Sequence, residues 1–278
     1  RLMVVDRDYR FKGTLRLADL FTRDNELLVE QCMDSDTRAI PAHTPSVQVA
    51  QVFEQLNLLS AAVVDNDGRL IGRITIDDVV DVIREQGEES LMHMAGLDHT
   101  EDMFAPVLTV ARHRALWLGV NLATALLASW VIGLFEATIQ TVVALAVLMP
   151  VVASMGGIAG SQALTVVIRA MALGQVSGHN AWPLVRHELL IGAINSVLWA
   201  LVVGLVALAW FGDPRLGVIV GVALIANLVV AAIAGALVPI GLRWAGVDPA
   251  LAGGVVLTTV TDIVGFMTFL GLGALVLT

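Results

Sequence analysis

Cysteine and charge are both scarce in this sequence. The single cysteine, Cys32, excludes an intrachain disulfide and any Cys-rich metal cluster, and its ordinary reading is a small inert thiol. Charged residues are 15% of the 278 and hydrophobic residues 57%, a membrane protein's balance. The charge is also uneven: residues 1–103 hold ten Lys and Arg against twenty Asp and Glu, whereas residues 104–278 hold six against five. The polar front therefore lacks the basic surplus that nucleic acid or anionic headgroups would need, and it suits cations or nothing in particular. Residues 1–12 are polar and do not read as a signal peptide, and the chain opens on Arg1 inside a module, so it is expected to be a fragment.

The polar front contains an internal repeat. "VVDRDYRFKGTLRLADL" (4–20) aligns without a gap on "VVDNDGRLIGRITIDDV" (63–79). Asp6/Asp65, Asp8/Asp67, Arg10/Arg69, Gly13/Gly72 and Asp19/Asp78 are identical pairs. Each copy reads as strand, Asp-rich turn, alternating strand and helix, and Thr75-Ile76-Asp77-Asp78 reads as a cap before an apolar-periodic helix. This resembles the CBS module, which occurs in tandem as a pseudo-twofold pair. The remainder of a first module is expected over 1–31 and a complete second module over 32–84. In that family a Thr or Ser followed three residues later by Asp commonly holds a nucleotide ribose. Thr75 and Asp78 match, which makes them candidates for binding ATP. The first copy keeps Asp19 but has Arg16 in place of the hydroxyl.

Five apolar runs follow, at about 115–135, 141–168, 188–211, 216–242 and 250–278, each long enough to cross about 30 Å of hydrocarbon. The expected fold is an α-helical membrane protein, with five transmembrane helices over 115–278 preceded by a cytosolic α/β module and a connecting helix and linker over 85–114. Pro150 removes one backbone donor within the second run. Arg112, Arg114, Arg169, Arg186 and Arg243 fall on one side and only Arg215 on the other, which predicts a cytoplasmic front and an external C-terminus in the cell (inner) membrane.

Some polar residues inside these runs need a reason. Asn121, Thr124, Asn195, Ser196 and Asn227 read as hydrogen-bonding glue between helices. In "PVVASMGGIAGSQALT" (150–165), Gly156, Gly157 and Gly160 imply close backbone approach, either for GxxxG packing or to expose carbonyls to a water-filled path. Ser161, Gln162 and Thr165 add polarity that packing does not require. Asp262 is the only charged residue after Asp248, and a carboxylate at the centre of a span costs roughly 2.5–3.5 kcal/mol. Thr258, Thr259 and Gly265 are placed on its helical face, and the spans offer no Lys or Arg to pair with it. A carboxylate among hydroxyls suits a hydrated cation; the bland alternative is an Asp hydrogen-bonded to a neighbouring helix. An intramembrane aspartyl protease would need two facing carboxylates, and only one acid lies deep in a span, so no enzyme is expected.

"PVVASMGGIAGSQALTVVIRAMALG" (150–174), "GVDPALAGG" (246–254) and "TTVTDIVGFMTFLG" (258–271), behind a CBS pair, resemble the MgtE family of magnesium transporters. The resemblance covers nearly the whole chain; the family's N-terminal helical domain and most of its first CBS module are missing. It implies a homodimeric, Mg²⁺-selective, channel-like transporter in contact with membrane lipid, whose second and fifth spans line the pore. Asp262 falls on the family's pore aspartate. The resemblance further implies closure by cytosolic Mg²⁺, with Glu88 and Glu89 on the connecting helix and Asp248 at the start of span 5 as regulatory ligands. From Asp77 to Asp102 nine acids accompany one base, Arg84, which supplies the charge; Asp248-Pro249 also reads as a plain helix cap. Departures are Ile158 where the family usually has Asn, Ser90 where a second acid is common, and a non-acidic "HTPSVQVAQ" (43–51). Alternatives are transport of another divalent cation such as Mn²⁺ or Co²⁺, and a nucleotide-sensing membrane scaffold without transport.

Overall fold

A computed structural model describes residues 1–24, 26–97, 106–172, 174–176 and 181–278. It divides the chain into two units, Arg1–Glu89 and Ser90–Thr278.

The first unit opens with β1 (Leu2–Val5) and β2 (Phe11–Leu15), an antiparallel pair, followed by short helices α1 (Leu17–Thr22) and α2 (Val29–Cys32). β3 (Ile40–Pro41), α3 (Ser46–Leu56), β4 (Ser60–Val64) and β5 (Leu70–Thr75) come next, with β3 parallel and β5 antiparallel to the central β4. α3 turns Val49, Ala50 and Phe53 onto Ile40, Ala61 and Val79, and it stops at Asn57, whose left-handed backbone (φ 49°) suits a helix end.

The repeat seen in the sequence is built into the hydrogen bonding. Asp6 accepts the N–H groups of Asp8 and Arg10 at 3.0 and 2.9 Å, and Asp65 accepts those of Asp67 and Arg69 at 2.9 and 2.8 Å. Tyr9 and Gly68 both take positive φ, the glycine at no steric cost. The two turns then pair with each other: Phe11 N–H donates to the Gly68 carbonyl at 3.0 Å and Leu70 N–H to the Tyr9 carbonyl at 2.8 Å, equivalent bonds across a local twofold. The Arg10 N–H, with the Asp8 N–H and Lys12 beside it, holds the Asp6 carboxyl below the usual carboxylate range.

α4 runs unbroken over Ile76–Met94. The expected module boundary at 84/85 therefore falls inside a helix, and the connecting stretch begins as its continuation. No Gly or Pro strong enough to stop the helix occurs there; Gly87 alone costs only about 1 kcal/mol relative to Ala. Asp98, Glu101 and Asp102, part of the acidic run, lie outside the described residues.

The second unit holds α5 (Val107–Gly133), α6 (Glu136–Thr141), α7 (Val143–Ala172), α8 (Ala181–Phe211), α9 (Pro214–Trp244) and α10 (Pro249–Leu277). All but α6 are long and apolar enough to cross a membrane. α5 and α8 begin well before the apolar runs at 115 and 188, because Arg112, His113, Arg114, Arg186 and His187 continue the helices as polar ends. The run expected to begin at 141 starts instead with a break at Val142 (φ −126°, ψ 83°) that separates α6 from α7. Pro150 sits inside α7 without ending it.

α9 is the hub, packed against α7, α8 and α10. Small residues bring these helices together: a Cβ on Gly204 would lie 2.9 Å from the Gly217 carbonyl, and Ala223, Ala231 and Ala236 are fully buried. Between apolar helices in lipid there is little hydrophobic force, so close backbone approach carries the packing. Asn121, Thr124 and Ser196 spend their side-chain donors on carbonyls of their own helices, at 2.9, 2.9 and 2.8 Å, rather than bonding between helices. Asn227 does cross: it is fully buried on α9 and donates to the Val152 carbonyl of α7 at 2.9 Å.

Candidate metal-binding groove

Ser154, Gly157, Ile158, Ser161, Gln162 and Thr165 recur at spacings of three and four along α7, so one helical face carries them all. On α10, Thr258 and Asp262 are one turn apart. Together with Ala153 and Val166 these residues line a groove of about 810 Å³ that is open to the outside of the chain. Asp262 is the sole charged residue in its lining. The carboxylate is half-buried and has no hydrogen-bond or ion-pair partner among the described residues, so the bland alternative of an Asp tied to the next helix does not apply to this arrangement.

The hydroxyls around it are oriented by their own backbone. Ser161 donates to the Gly157 carbonyl at 2.8 Å, and Thr258 to the Gly254 carbonyl at 3.0 Å. A hydroxyl whose hydrogen is committed still offers oxygen lone pairs. Around a cation, coordinated water points its hydrogens outward and needs acceptors. The groove supplies them: a carboxylate and hydroxyl oxygens.

Not every residue placed on this face by spacing reaches the groove. A Cβ at Gly157 would meet open space, and Gly157 forms part of the wall. Gly156 and Gly265 turn instead to the buried Asn227 amide, and a Cβ on Gly265 would be 2.7 Å from Asn227 Nδ2. Gly160 abuts the Leu257 side chain, where a Cβ would be 2.8 Å away. Thr259 donates to the Val255 carbonyl at 2.7 Å and lies outside the lining. Gly156, Gly160 and Gly265 are placed by helix packing, because the side of α10 that carries Gly265 faces α7 and α9. Ser154 was not singled out in the sequence, although the same 3–4 spacing extends to it.

A second cavity of about 380 Å³ adjoins the groove and shares Ser161 and Thr258 with it. Its other walls include Met94–Leu97, Arg114 and Trp117 from α5, and Leu251, Gly254 and Val255 from α10.

Asp248 caps α10, its Oδ1 accepting the Ala250 N–H at 2.9 Å. Its Oδ2 meets His93 Nδ1 of α4 at 2.5 Å. His93 was missed in the sequence, since no local pattern links residues so far apart. Glu88 pairs with Arg84 at 2.9 Å, one turn earlier on α4; Glu89 is the next residue on that helix. Thr75 and Asp78 bond to each other: the Thr75 N–H and hydroxyl donate to Asp78 Oδ2 at 2.8 and 3.0 Å, the geometry of a helix cap. Among the described residues no group of three or more His, Cys, Asp or Glu side chains could hold a metal ion on its own.

Comparison with known proteins matches both parts of the chain. A family model described as the MgtE divalent cation transporter covers residues 149–272, from the start of the Gly-rich segment of α7 through Asp262, and a CBS domain model covers residues 29–85. The magnesium transporter MgtE of Thermus thermophilus is 32% identical over 99% of this chain and 62% of its own length. That of Bacillus subtilis is 32% identical over 98% of this chain and 60% of its own length. The chain thus spans about three fifths of the length of the curated relatives it matches. A crystal structure of the cytosolic domain of the Mg²⁺ channel MgtE in complex with ATP is 36% identical over 29% of this chain and 32% of that one, with a TM-score of 0.28. The chain thus carries an MgtE divalent cation transporter domain, which contains the groove, and a CBS domain ahead of it.

Proposed function

We propose that this chain is the conducting and sensing part of a passive, channel-like Mg²⁺ transporter of the cell membrane. The observation that carries the reading is Asp262: a carboxylate midway along a membrane-length helix, with no protein partner among the described residues, set in an open groove of oxygen acceptors. One such groove supplies a single negative charge. Two copies related by a twofold axis would face their grooves together and double it, making a homodimer the unit of transport. Mg²⁺ loses its water reluctantly and prefers octahedral oxygen, so carboxylates that accept hydrogen bonds from a hydrated ion suit it better than a tight cage. The relatives named above are magnesium transporters, which favours Mg²⁺ over Mn²⁺ or Co²⁺ as cargo.

The test is Mg²⁺ flux into proteoliposomes. Asp262→Asn keeps the shape of the side chain and removes its charge, so flux should fall at least tenfold (about 1.4 kcal/mol or more) while the protein elutes and melts like the wild type. Unchanged flux would reject the pore role. A wild-type protein that binds nucleotide but passes no divalent ion would favour the scaffold reading.

Regulation by cytosolic Mg²⁺ is the second half of the proposal, with Glu88, Glu89 and Asp248 as ligands and the CBS module, placed in the cytoplasm, as sensor. ATP binding by Thr75 and Asp78 would draw on acceptors that their mutual hydrogen bond leaves open, Asp78 Oδ1 and the lone pairs of the Thr75 hydroxyl.

A further inference from the structure

The groove is lined from α7 and α10, and α9, which packs against both, stays outside the lining. One α9 side chain nevertheless reaches both walls. Asn227 is fully buried and donates Nδ2 to the Val152 carbonyl of α7 at 2.9 Å. Val152 is followed by Ala153 and Ser154, which line the groove. The same amide fills a notch between Gly156 and Gly265. A Cβ on Gly265 of α10 would lie 2.7 Å from Nδ2, and a Cβ on Gly156 of α7 would also run into the amide. Gly157, next to Gly156, is groove wall, and Gly265 is less than one turn from Asp262. Oδ1 meanwhile is buried and has no partner among the described residues. A side chain selected for stability alone would not leave a buried acceptor unpaired, since an apolar one avoids that cost.

We infer that Asn227 is a positioning residue for transport that sets the gap between the α7 wall and Asp262, an inference that rests on the transport reading above. An ion that keeps its water is held through hydrogen bonds from that water to acceptors on the walls. Such bonds weaken steeply once bent or stretched, so the gap has to be held. The hydroxyls of Ser161 and Thr258 bond within their own helices and do not tie the walls together. The hydrogen bond and the filled notch of Asn227 do so, on the packed side of the two helices. Without the amide, α7 and α10 settle into the space it leaves, and Asp262 moves relative to Ser154 and Gly157.

The experiment measures Mg²⁺ flux into proteoliposomes against external Mg²⁺ for the wild type, Asn227→Ala, the double variant Asn227→Ala with Gly265→Ala, and Ser196→Ala. A merely less stable protein has fewer working copies, so its maximal flux falls and its half-saturating Mg²⁺ does not move. A displaced carboxylate holds its ion less well, and half-saturating Mg²⁺ in Asn227→Ala should rise at least about threefold. A methyl on Gly265 enters space that the amide vacates, so the double variant should return to within about twofold of wild type. Ser196→Ala removes another buried polar group, one that bonds within α8, and should leave half-saturation unchanged. An unmoved value in Asn227→Ala, or the same rise in Ser196→Ala, would overturn the inference. So would a double variant no nearer to wild type than Asn227→Ala, since the gap would then not be what Asn227 controls. Should Asn227→Ala not fold, Asn227→Ser reads out the same quantity. Absence of any flux from the wild-type protein would sink the transport reading itself, whereas a wild type that conducts and a half-saturation that does not move would sink only the role of Asn227.

Discussion

Asp248 divides its two oxygens between two partners. Oδ1 holds the first free N–H of α10 and Oδ2 holds the ring of His93. Asn can cap a helix as well as Asp, so Asp248→Asn isolates the charge: apparent stability in detergent should change by less than about 1 kcal/mol, whereas Asp248→Ala should cost about 1 kcal/mol more through the lost cap. If the carboxylate is also a regulatory Mg²⁺ ligand, Asp248→Asn should still shift the internal Mg²⁺ needed to close the channel upward by about tenfold, the effect of losing about 1.4 kcal/mol of binding. Flux titrated against internal Mg²⁺ gives the answer, and an unshifted curve would leave Asp248 as a cap alone. The cap was legible in the sequence, because Asp-Pro before an apolar run is a local signal. His93 was not, because its partner lies on a helix far along the chain.

The junction of α7, α9 and α10 turns on three residues. Gly156 and Gly265 leave a notch, and the Asn227 amide fills it. The amide spends Nδ2 on the Val152 carbonyl, while Oδ1 has no partner among the described residues. A methyl at Gly265 would press on that amide and on Val152, so Gly265→Ala should cost about 1–3 kcal/mol of apparent stability. Asn227→Ala removes one hydrogen bond and one unsatisfied acceptor together, and should cost only about 1 kcal/mol. Combined, the smaller side chain makes room for the new methyl, and the double variant should be more stable than the sum of the single effects by about 1 kcal/mol. Thermal melts of the four proteins close the cycle, and strict additivity would show that the notch is not shared. The same junction explains why only part of the groove could be read from sequence. Spacing of three and four puts Gly265 and Thr258 near Asp262 on a helical wheel, but it does not say which neighbour covers which flank. Thr258 met the groove and Gly265 met Asn227. Five spans were legible because their apolar runs are long. Their ends were less so, since charged residues such as Arg112 and Arg186 prolong a helix beyond the hydrocarbon at little cost.

At the scale of the whole molecule the two units answer to different solvents, and charge is the quantity that separates them. Residues 1–103 carry twenty acids against ten bases, and α4 alone has six acids with Arg84 as its one Lys or Arg. Such a surface repels itself and weakens the compact state until cations gather on it. Any monovalent salt screens that repulsion over about 10 Å at 0.1 M, whereas a divalent ion bound at a site adds its own binding energy. The two effects separate in one measurement. Mg²⁺ at about a hundred times its dissociation constant should add about 2.7 kcal/mol to apparent stability, a rise of several degrees in the melting temperature of the intact chain. NaCl at equal ionic strength should give only the screening part. Replacing Glu88 and Glu89 together by Gln should remove most of the excess due to Mg²⁺ and leave the NaCl response in place. If NaCl matches Mg²⁺ degree for degree in the wild type, the acidic front is a solvated surface and the proposed regulation by cytosolic Mg²⁺ loses its support.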